Sequence, residues 1–360
     1  MCKDKVKIFV CFLLLFSFLA KSQSQTPSSD TRQLNEFTLY IMPTLLPLDW
    51  SSPRSIHKST IKCYLRTIHK RDNYLLGHVA VSLKSPLLDK PLLTTQTSCG
   101  MKEKKELIFK KKIGLAILGA ALHGRMEPSL ELIHKLKVYA KREKLTFIRY
   151  KISEKAAKRM IDFVKLYSQK TESNFAQCDF YGGSFWPRYK NEGAGCSSFG
   201  ITLLDLVGIK SPEFEDWKIK VNIPMNLIGG SLNEGKKIKS KDINRTRNWY
   251  NGNGIHNEDF VKFGIYDPNL MYKWVKQKQK DRPAPYQVVC ENGIYGLQVD
   301  ATAVDFDEYE PIFYSKTDSD FFAVNHSKNI PFIHNKIPTS DSISKIKIPE
   351  TLKLDSIVLK

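Results

Sequence analysis

The stretch GAGCSSFG, residues 193–200, contains the side chain best suited to chemistry, the thiol of Cys196. The cysteine follows flexible glycines and precedes an apolar run, so it is predicted to start a helix. A thiol at a helix start faces unpaired N–H groups and the positive end of the helix dipole, which lower its pKa and favour the thiolate. The pattern indicates a nucleophile. Two alternatives stay open: a small buried residue that lets the helix dock closely, or one half of a disulfide with Cys178.

A thiolate nucleophile needs a base, and the best-placed histidine is His78 in YLLGHVAVSL. Along a strand His78, Ala80 and Ser82 share one face. These small neighbours are expected to leave room for a helix end to approach the imidazole. The alternative is a structural histidine that is satisfied within the core.

GHVAVSL, followed more than a hundred residues later by GCSSFGITLL, resembles the circularly permuted branch of the NlpC/P60 papain-like superfamily. In that branch the histidine strand precedes the cysteine helix. The resemblance covers roughly residues 60–210 and implies an α+β, papain-like fold in which the cysteine helix packs on an antiparallel sheet. It also implies that Cys196 is the nucleophile and His78 the base. The superfamily acts on peptide amides of cell walls and on acyl esters or amides of lipids.

The third catalytic residue is expected on the strand after the histidine strand, where a polar group orients the imidazole in such enzymes. Gln96 is our choice, because its amide oxygen would accept the Nδ1 proton. This strand departs from the family pattern, since it contains no Asp, Glu or His. His123, in ALHGRME, is the rival. The N–H of Cys196 itself is expected to help hold the oxyanion.

The loop FYGGSFWPRY, residues 180–189, lies just before the cysteine. Its aromatic residues Phe185, Trp186 and Tyr189 are predicted to line a substrate groove, and packing beneath a long loop is the alternative. The sequence contains no zinc pattern such as HExxH and no glycine-rich phosphate loop, so neither a metal nor a cofactor is expected.

The elements that must position these residues are predicted from hydrophobic periodicity and turn signals. Predicted strands cover residues 37–46, 60–68, 73–83, 91–99, 144–152, 286–290 and 293–299, and predicted helices cover 130–139, 153–167, 197–209 and 268–280. Residues 106–122 are expected to form a strand pair or a strand and a helix, because Gly114 and Gly119 disfavour one long helix.

The first 22 residues have the pattern of a cleavable secretory signal. Lysines precede the apolar run Ile8–Ala20, and Ala20-Lys21-Ser22 is a small-x-small cleavage site. The run is shorter than the roughly 20 residues that span a bilayer, and a retained anchor is the alternative. A flexible leader (23–35), a permuted papain-like domain (36–210), an α/β extension (211–325) and a polar tail (326–360) are expected to follow. The predicted location is periplasmic, outer-envelope or extracellular.

The chain of 360 residues is strongly basic, with a formal net charge of +19. A basic exported protein is drawn to an anionic cell-envelope polymer or lipid surface, although a solvated basic face without a specific partner is the alternative. No nucleic-acid module is recognisable, and no transmembrane segment is expected after signal cleavage. Five cysteines lie outside the signal, so up to four are expected to pair in an oxidising compartment.

These patterns predict an exported thiol hydrolase or acyltransferase that acts on amide or ester bonds of a cell-envelope peptide or lipid. The alternative is a non-catalytic binding or structural protein of the envelope that keeps the fold. The lack of a carboxylate on the strand after His78 favours this alternative, whereas the glycine-flanked Cys196 favours the enzyme. A third possibility is a basic surface-binding protein of unrelated fold.

Overall fold

The computed structural model describes residues 34–67, 76–172, 174–315 and 322. The predicted signal, residues 23–33 of the leader and the predicted tail lie outside the described residues. The strands are β1 Asn35–Met42, β2 His78–Lys84, β3 Leu92–Thr94, β4 Gln96–Ser98, β5 Leu122–Met126, β6 Thr146–Ile152, β7 Phe180–Tyr181, β8 Lys218–Pro224, β9 Phe260–Tyr266, β10 Gln287–Glu291 and β11 Ile294–Asp300. The helices are α1 Pro53–Thr67, α2 Met101–Lys105, α3 Ser129–Lys141, α4 Glu154–Ser168, α5 Cys196–Asp205, α6 Ser240–Arg245 and α7 Pro268–Asp281. One π-helical turn, Glu106–Lys110, continues directly from α2.

The main sheet has six strands in the order β10-β11-β6-β1-β2-β3. Its neighbours are antiparallel except β11 and β6, which run parallel. The α+β class is therefore confirmed, and the sheet is mixed where an antiparallel one was expected. The pair β10 and β11 comes from the C-terminal part of the chain, which thus extends the same sheet that contains the histidine strand.

Helices cover both faces of this sheet because β1 and β2 are apolar on both sides. One face of β1, including Leu39, packs with Phe163 of α4, Phe199 of α5 and Met271 of α7. On the opposite face Ala80 packs with Leu132 and other residues of α3. Strands buried on both faces show no simple alternation of apolar and polar residues, which is why a long apolar run marks them.

Most predicted elements are confirmed, but the strand predicted at 60–68 is wrong. This stretch belongs to α1, whose first turn is capped because the N–H of Ser55 donates to Ser52 Oγ at 3.0 Å. Pro53 then occupies the first helical position, where proline is favoured. The cap signal at residues 51–53 outweighs the local β-branched content. Residues 106–122 also differ from prediction: they form the π turn and a short 3-10 helix, Leu115–Leu118, before β5.

Candidate active site

The loop before α5 delivers Cys196 to the first position of that helix. Gly193 has φ +72°, and a Cβ there would lie 2.1 Å from the carbonyl oxygen of Phe180, so only glycine fits. Gly195 caps α5, and its N–H donates to Ser198 Oγ at 3.0 Å. The predicted start of the helix at Cys196 is confirmed. Its first N–H groups have no partners within the helix and are available near the thiol.

A close approach of α5 to the sheet brings the thiol to the histidine strand. A Cβ on Gly200 would lie 2.8 Å from Leu39 Cδ2 and 3.3 Å from the side chains of Val79 and Val81. Cys196 lies one helical turn before Gly200 and therefore above the start of β2. The helix thus packs on the valine face of β2. The expectation that it would approach over the face of Ala80 is wrong, because α3 occupies that face.

His78 is the first residue of β2 and lies in a chain of buried polar contacts. Its Nε2 is 2.9 Å from Oε2 of Glu127, and Oε1 of Glu127 accepts from Lys135 Nζ at 3.0 Å. His78 and Glu127 are 3% and 1% exposed. The Cys196 side chain lies near enough to act on the pKa of the imidazole through its charge and through a hydrogen bond.

The oxygen that contacts the imidazole belongs to the carboxylate of Glu127 and not to the amide of Gln96. The main chain of Glu127 is held by the strand after the histidine strand: its N–H donates to the Thr95 carbonyl at 2.8 Å, and its carbonyl accepts from Thr94 Oγ1 at 3.3 Å. The amide of Gln96 instead donates to the carbonyls of Cys178 and Phe180, at 2.7 and 3.1 Å. The predicted role of Gln96 in accepting the imidazole proton is therefore wrong in geometry.

The other candidates named from the sequence lie away from this chain of contacts. His123, the rival to Gln96, is exposed and pairs with Glu103 at 2.9 Å. Cys178 and Cys196 are both thiols, as are Cys99 and Cys290, so the bridge from Cys178 to Cys196 does not form. Burial raises the pKa of Cys178 to about 12, which keeps that thiol protonated and unreactive.

The electrostatics favour an ion pair between Cys196 and His78. Burial opposes both charges, but the opposite charge and the hydrogen bond of each side chain outweigh it. Together with the N–H of Val79 and the hydroxyl of Ser197, the imidazolium lowers the pKa of Cys196 below its usual range. The thiolate, and then the hydrogen bond and charge of Glu127, raise the pKa of His78 to about 9. Both shifts favour a thiolate beside an imidazolium over the neutral pair.

Two residues that the sequence did not single out also face the sulfur. Burial, the charge of Cys196 and a hydrogen bond to it raise the pKa of Tyr181 well above its usual value, so the phenol stays protonated and donates to the thiolate. Lys104 Nζ donates to Ser98 Oγ at 2.7 Å and lies 5.6 Å from the centroid of the Tyr181 ring. Burial lowers the pKa of Lys104, and the negative charge of Cys196 partly offsets this. A phenol and an ammonium are thus available to a developing oxyanion.

Cys196 and His78 lie in the wall of a cavity of about 250 Å³. Most of the wall is apolar and comes from several elements, including Leu48, Trp50, Ile56, Ile117, Leu118 and Ile265. The polar groups converge at the end where Cys196, His78, Tyr181 and Lys104 meet. An apolar cavity with a few converging polar groups is the usual form of a small-molecule site.

The aromatic residues predicted for substrate binding line a neighbouring cavity of about 610 Å³. Phe185 is 1% exposed and belongs to a buried apolar cluster that includes residues of β8 and β9. Trp186 packs against Tyr266, and Tyr189 packs against Tyr314. The two cavities share wall residues, including Gly183 and Ser198. The structure therefore places these aromatics beside the thiol cavity and not within it, and their predicted role stays a prediction.

Glu127, like Tyr181 and Lys104, is a functional candidate that sequence reasoning missed. It directly follows β5 and precedes Pro128, and in the sequence it is remote from the strand on which an orienting group was sought. A carboxylate between a strand and a helix start has an unremarkable sequence context. Its position beside His78 depends on pairing of β4 with β5, in which Gln96 lies opposite Met126.

Among the described residues, no group of three or more His, Cys, Asp or Glu side chains is placed to hold a metal ion. Within the same residues, no helix is both long and apolar enough to cross a membrane. Comparisons of the chain with known protein families, with curated proteins and with solved structures found no match.

Proposed function

We propose that the protein is an exported thiol hydrolase or acyltransferase that cleaves amide or ester bonds of a cell-envelope substrate. Cys196 is the nucleophile, His78 is the acid and base, and Glu127 orients His78. The observation that supports this assignment is the buried sequence of contacts from the thiol through the imidazole to the carboxylate, in the wall of an apolar cavity. Nucleophile, base and orienting group in this order are the arrangement that activates a thiol.

The resemblance to the permuted NlpC/P60 branch is part of this proposal. Two features support it: the histidine strand β2 precedes the cysteine helix α5, and α5 packs directly on β2. Glu127 supplies a carboxylate beside His78, and the lack of a predicted carboxylate was the reason to favour a non-catalytic protein. An exported location follows from the signal pattern of residues 1–22, which lies outside the described residues.

In the proposed reaction the Cys196 thiolate attacks the carbonyl carbon, and the carbonyl π electrons move to oxygen. The N–H of Cys196, the Tyr181 phenol and the Lys104 ammonium are the donors available to this oxyanion. When the oxyanion collapses, the bond to the leaving amine or alcohol breaks and the His78 imidazolium protonates it. The product is a thioester on Cys196.

Resolution of the thioester reverses the roles of the same groups. Neutral His78 takes a proton from water, or from an acceptor alcohol or amine, as that molecule attacks the thioester carbon. Collapse of the second oxyanion releases the acid, ester or amide and returns the thiolate beside the imidazolium. Glu127 keeps its hydrogen bond to Nε2 throughout, which fixes the ring orientation and stabilises the imidazolium.

Iodoacetamide labelling across pH tests the proposal, because only the thiolate reacts. We expect peptide mapping to find Cys196 labelled well below pH 8, faster than Cys178, whose pKa burial raises to about 12. Cys196→Ala is expected to abolish both this labelling and the hydrolysis of p-nitrophenyl butyrate, an ester small enough for the cavity. Equal labelling of all cysteines only above pH 8, or ester hydrolysis that persists in Cys196→Ala, would exclude the proposed nucleophile.

A further inference from the structure

A lysine-rich helical segment forms part of the mouth of the thiol cavity. Residues 101–112, MKEKKELIFKKK, comprise α2, the π turn and the two residues after it, and we call them the cap segment. Six of its residues are lysines and two are glutamates, so it is locally basic. One of the two acids, Glu103, is paired with His123.

The cap segment leaves three of its four apolar side chains exposed, whereas Leu107 packs partly against the core. No residue of α2 or of the π turn is buried. Phe109 is 67% exposed, Ile108 41% and Met101 37%. A single exposed apolar residue needs no explanation, but three on one short helical segment form a patch that folding has not covered.

The same patch borders the cavity that contains the nucleophile. Met101 and Ile108 each line the cavity and are each exposed, so they lie at its opening. Leu76, which is also exposed and also lines the cavity, belongs to the chain just before the histidine strand. The opening is thus bordered by apolar side chains, and exposed Lys102 and Lys105 stand beside Met101.

We propose that the cap segment docks the protein onto an anionic phospholipid bilayer, with Phe109 and Ile108 inserted among the acyl chains and the exposed lysines, which exclude Lys104, on the headgroups. Apolar residues beside a lysine-rich face on one helical segment are the composition of interfacial helices. Lysines attract anionic headgroups, and each contributes independently near the surface. An acidic wall polymer would satisfy the lysines but would offer no apolar phase for Phe109.

Docking in this orientation turns the cavity opening toward the lipid. An acyl chain leaving the bilayer would pass Met101 and Ile108 and enter the apolar cavity, with its carbonyl near Cys196. This second step rests on the proposed function, because it gives the enzyme an acyl lipid as substrate. The docking itself does not depend on catalysis.

Co-sedimentation of the purified chain with vesicles tests the docking. The probe is a set of vesicles of phosphatidylglycerol and phosphatidylcholine, compared with vesicles of phosphatidylcholine alone. We expect Phe109→Ser to lower the partition coefficient on anionic vesicles about tenfold, because a buried aromatic ring is lost. Lys110→Glu with Lys111→Glu is expected to lower it by at least about fivefold for each lysine.

Matched controls separate this patch from general charge and hydrophobicity. Tyr309 is 97% exposed elsewhere, and Tyr309→Ser should leave the partition coefficient unchanged. Charge reversal of the exposed pair Lys236 and Lys237 to Glu should lower the partition coefficient less than charge reversal of Lys110 and Lys111. Binding to soluble dextran sulfate should respond to the lysine changes and not to Phe109→Ser, since only a bilayer receives the ring.

The outcomes distinguish the docking proposal from the proposed function. Wild-type affinity of Phe109→Ser for anionic vesicles, equal losses in the control variants, or no binding at all would overturn the docking. Iodoacetamide labelling of Cys196 without vesicles should be the same in wild type and Phe109→Ser. If docking depends on Phe109 but Cys196 labels no faster than other thiols, the docking stands and the enzyme proposal fails.

Discussion

The two ends of α5 each contact a buried side chain that can carry a charge, but only the N-terminal end combines a nucleophile and a base beside a cavity. At the N-terminal end Cys196 faces His78 and Glu127 beside the apolar cavity. At the C-terminal end Asp205 pairs with Arg188, which is 1% exposed and lies 3.1 Å from the carboxylate.

The two clusters differ in whether their side chains can exchange a proton. Arg188 donates to Asp205, to the carbonyl of Pro311 at 2.8 Å and to the carbonyl of Ile312 at 3.4 Å. Its Cζ also lies 4.3 Å from the centroid of the Tyr314 ring. A guanidinium stays protonated in proteins, so this cluster only ties residues 311–314 to α5. The thiol and the imidazole can exchange a proton, and they border a cavity. Burial of a charge therefore does not identify a site unless one partner can titrate.

Removing the central cation at each end should produce the largest and most contrasting effects. We expect His78→Gln, which keeps a donor for Glu127, to lower ester turnover by about 10²-fold or more, because acid and base catalysis is lost. Arg188→Ala should instead lower the free energy of unfolding by about 3 kcal/mol, because buried acceptors lose their donor. Turnover and urea unfolding measured on both variants check this. Loss of turnover by folded Arg188→Ala equal to that of His78→Gln would show that the ends are not independent.

The contact of α5 with the sheet can be tested at Gly200. A methyl group there would lie 2.8 Å from Leu39, so Gly200→Ala should force the helix outward. We expect a loss of about 1–3 kcal/mol in the free energy of unfolding and slower alkylation of Cys196, as the thiolate moves away from His78. Gly264→Ala is the matched control, because its Cβ would meet nothing closer than 3.9 Å. If both variants label Cys196 at the wild-type rate, the close contact does not position the thiol.

The smallest expected effect is a shift in the pKa of His78, which should respond to a change at Glu127 and not to one at Gln96. The imidazolium of His78 persists below its raised pKa and is lost as pH rises through about 9. Glu127→Gln removes a charge that raises this pKa, so the His78 ring should titrate at lower pH. We expect nuclear magnetic resonance titration of the ring to show that shift. Gln96→Met should leave the titration unchanged, although unfolding becomes easier by about 1–3 kcal/mol, because two carbonyls lose their donor. A shift in Gln96→Met and none in Glu127→Gln would restore the sequence-based assignment.

Local sequence signals were sufficient to predict those helices whose ends are marked by capping residues or glycines. The N–H of Ala156 donates to the predicted cap Ser153 at 3.2 Å, and α4 begins where that cap predicts. The glycines before Cys196 and the apolar run after it located α5. The strand predicted at 60–68 failed because β-branched content is a weak signal once a serine cap and a proline start a helix.

The sequence by itself determined that a thiol stands at a helix start and that a histidine stands on a strand more than a hundred residues earlier. Both facts follow from neighbours within a few residues. Only the tertiary structure decided that the two meet, that Glu127 and not Gln96 contacts the imidazole, and that the exposed Met101 and Ile108 border the same cavity. These outcomes depend on the strand order, on the face of β2 against which α5 packs and on how closely α5 approaches the sheet at Gly200. Such long-range contacts leave no local pattern in a single sequence.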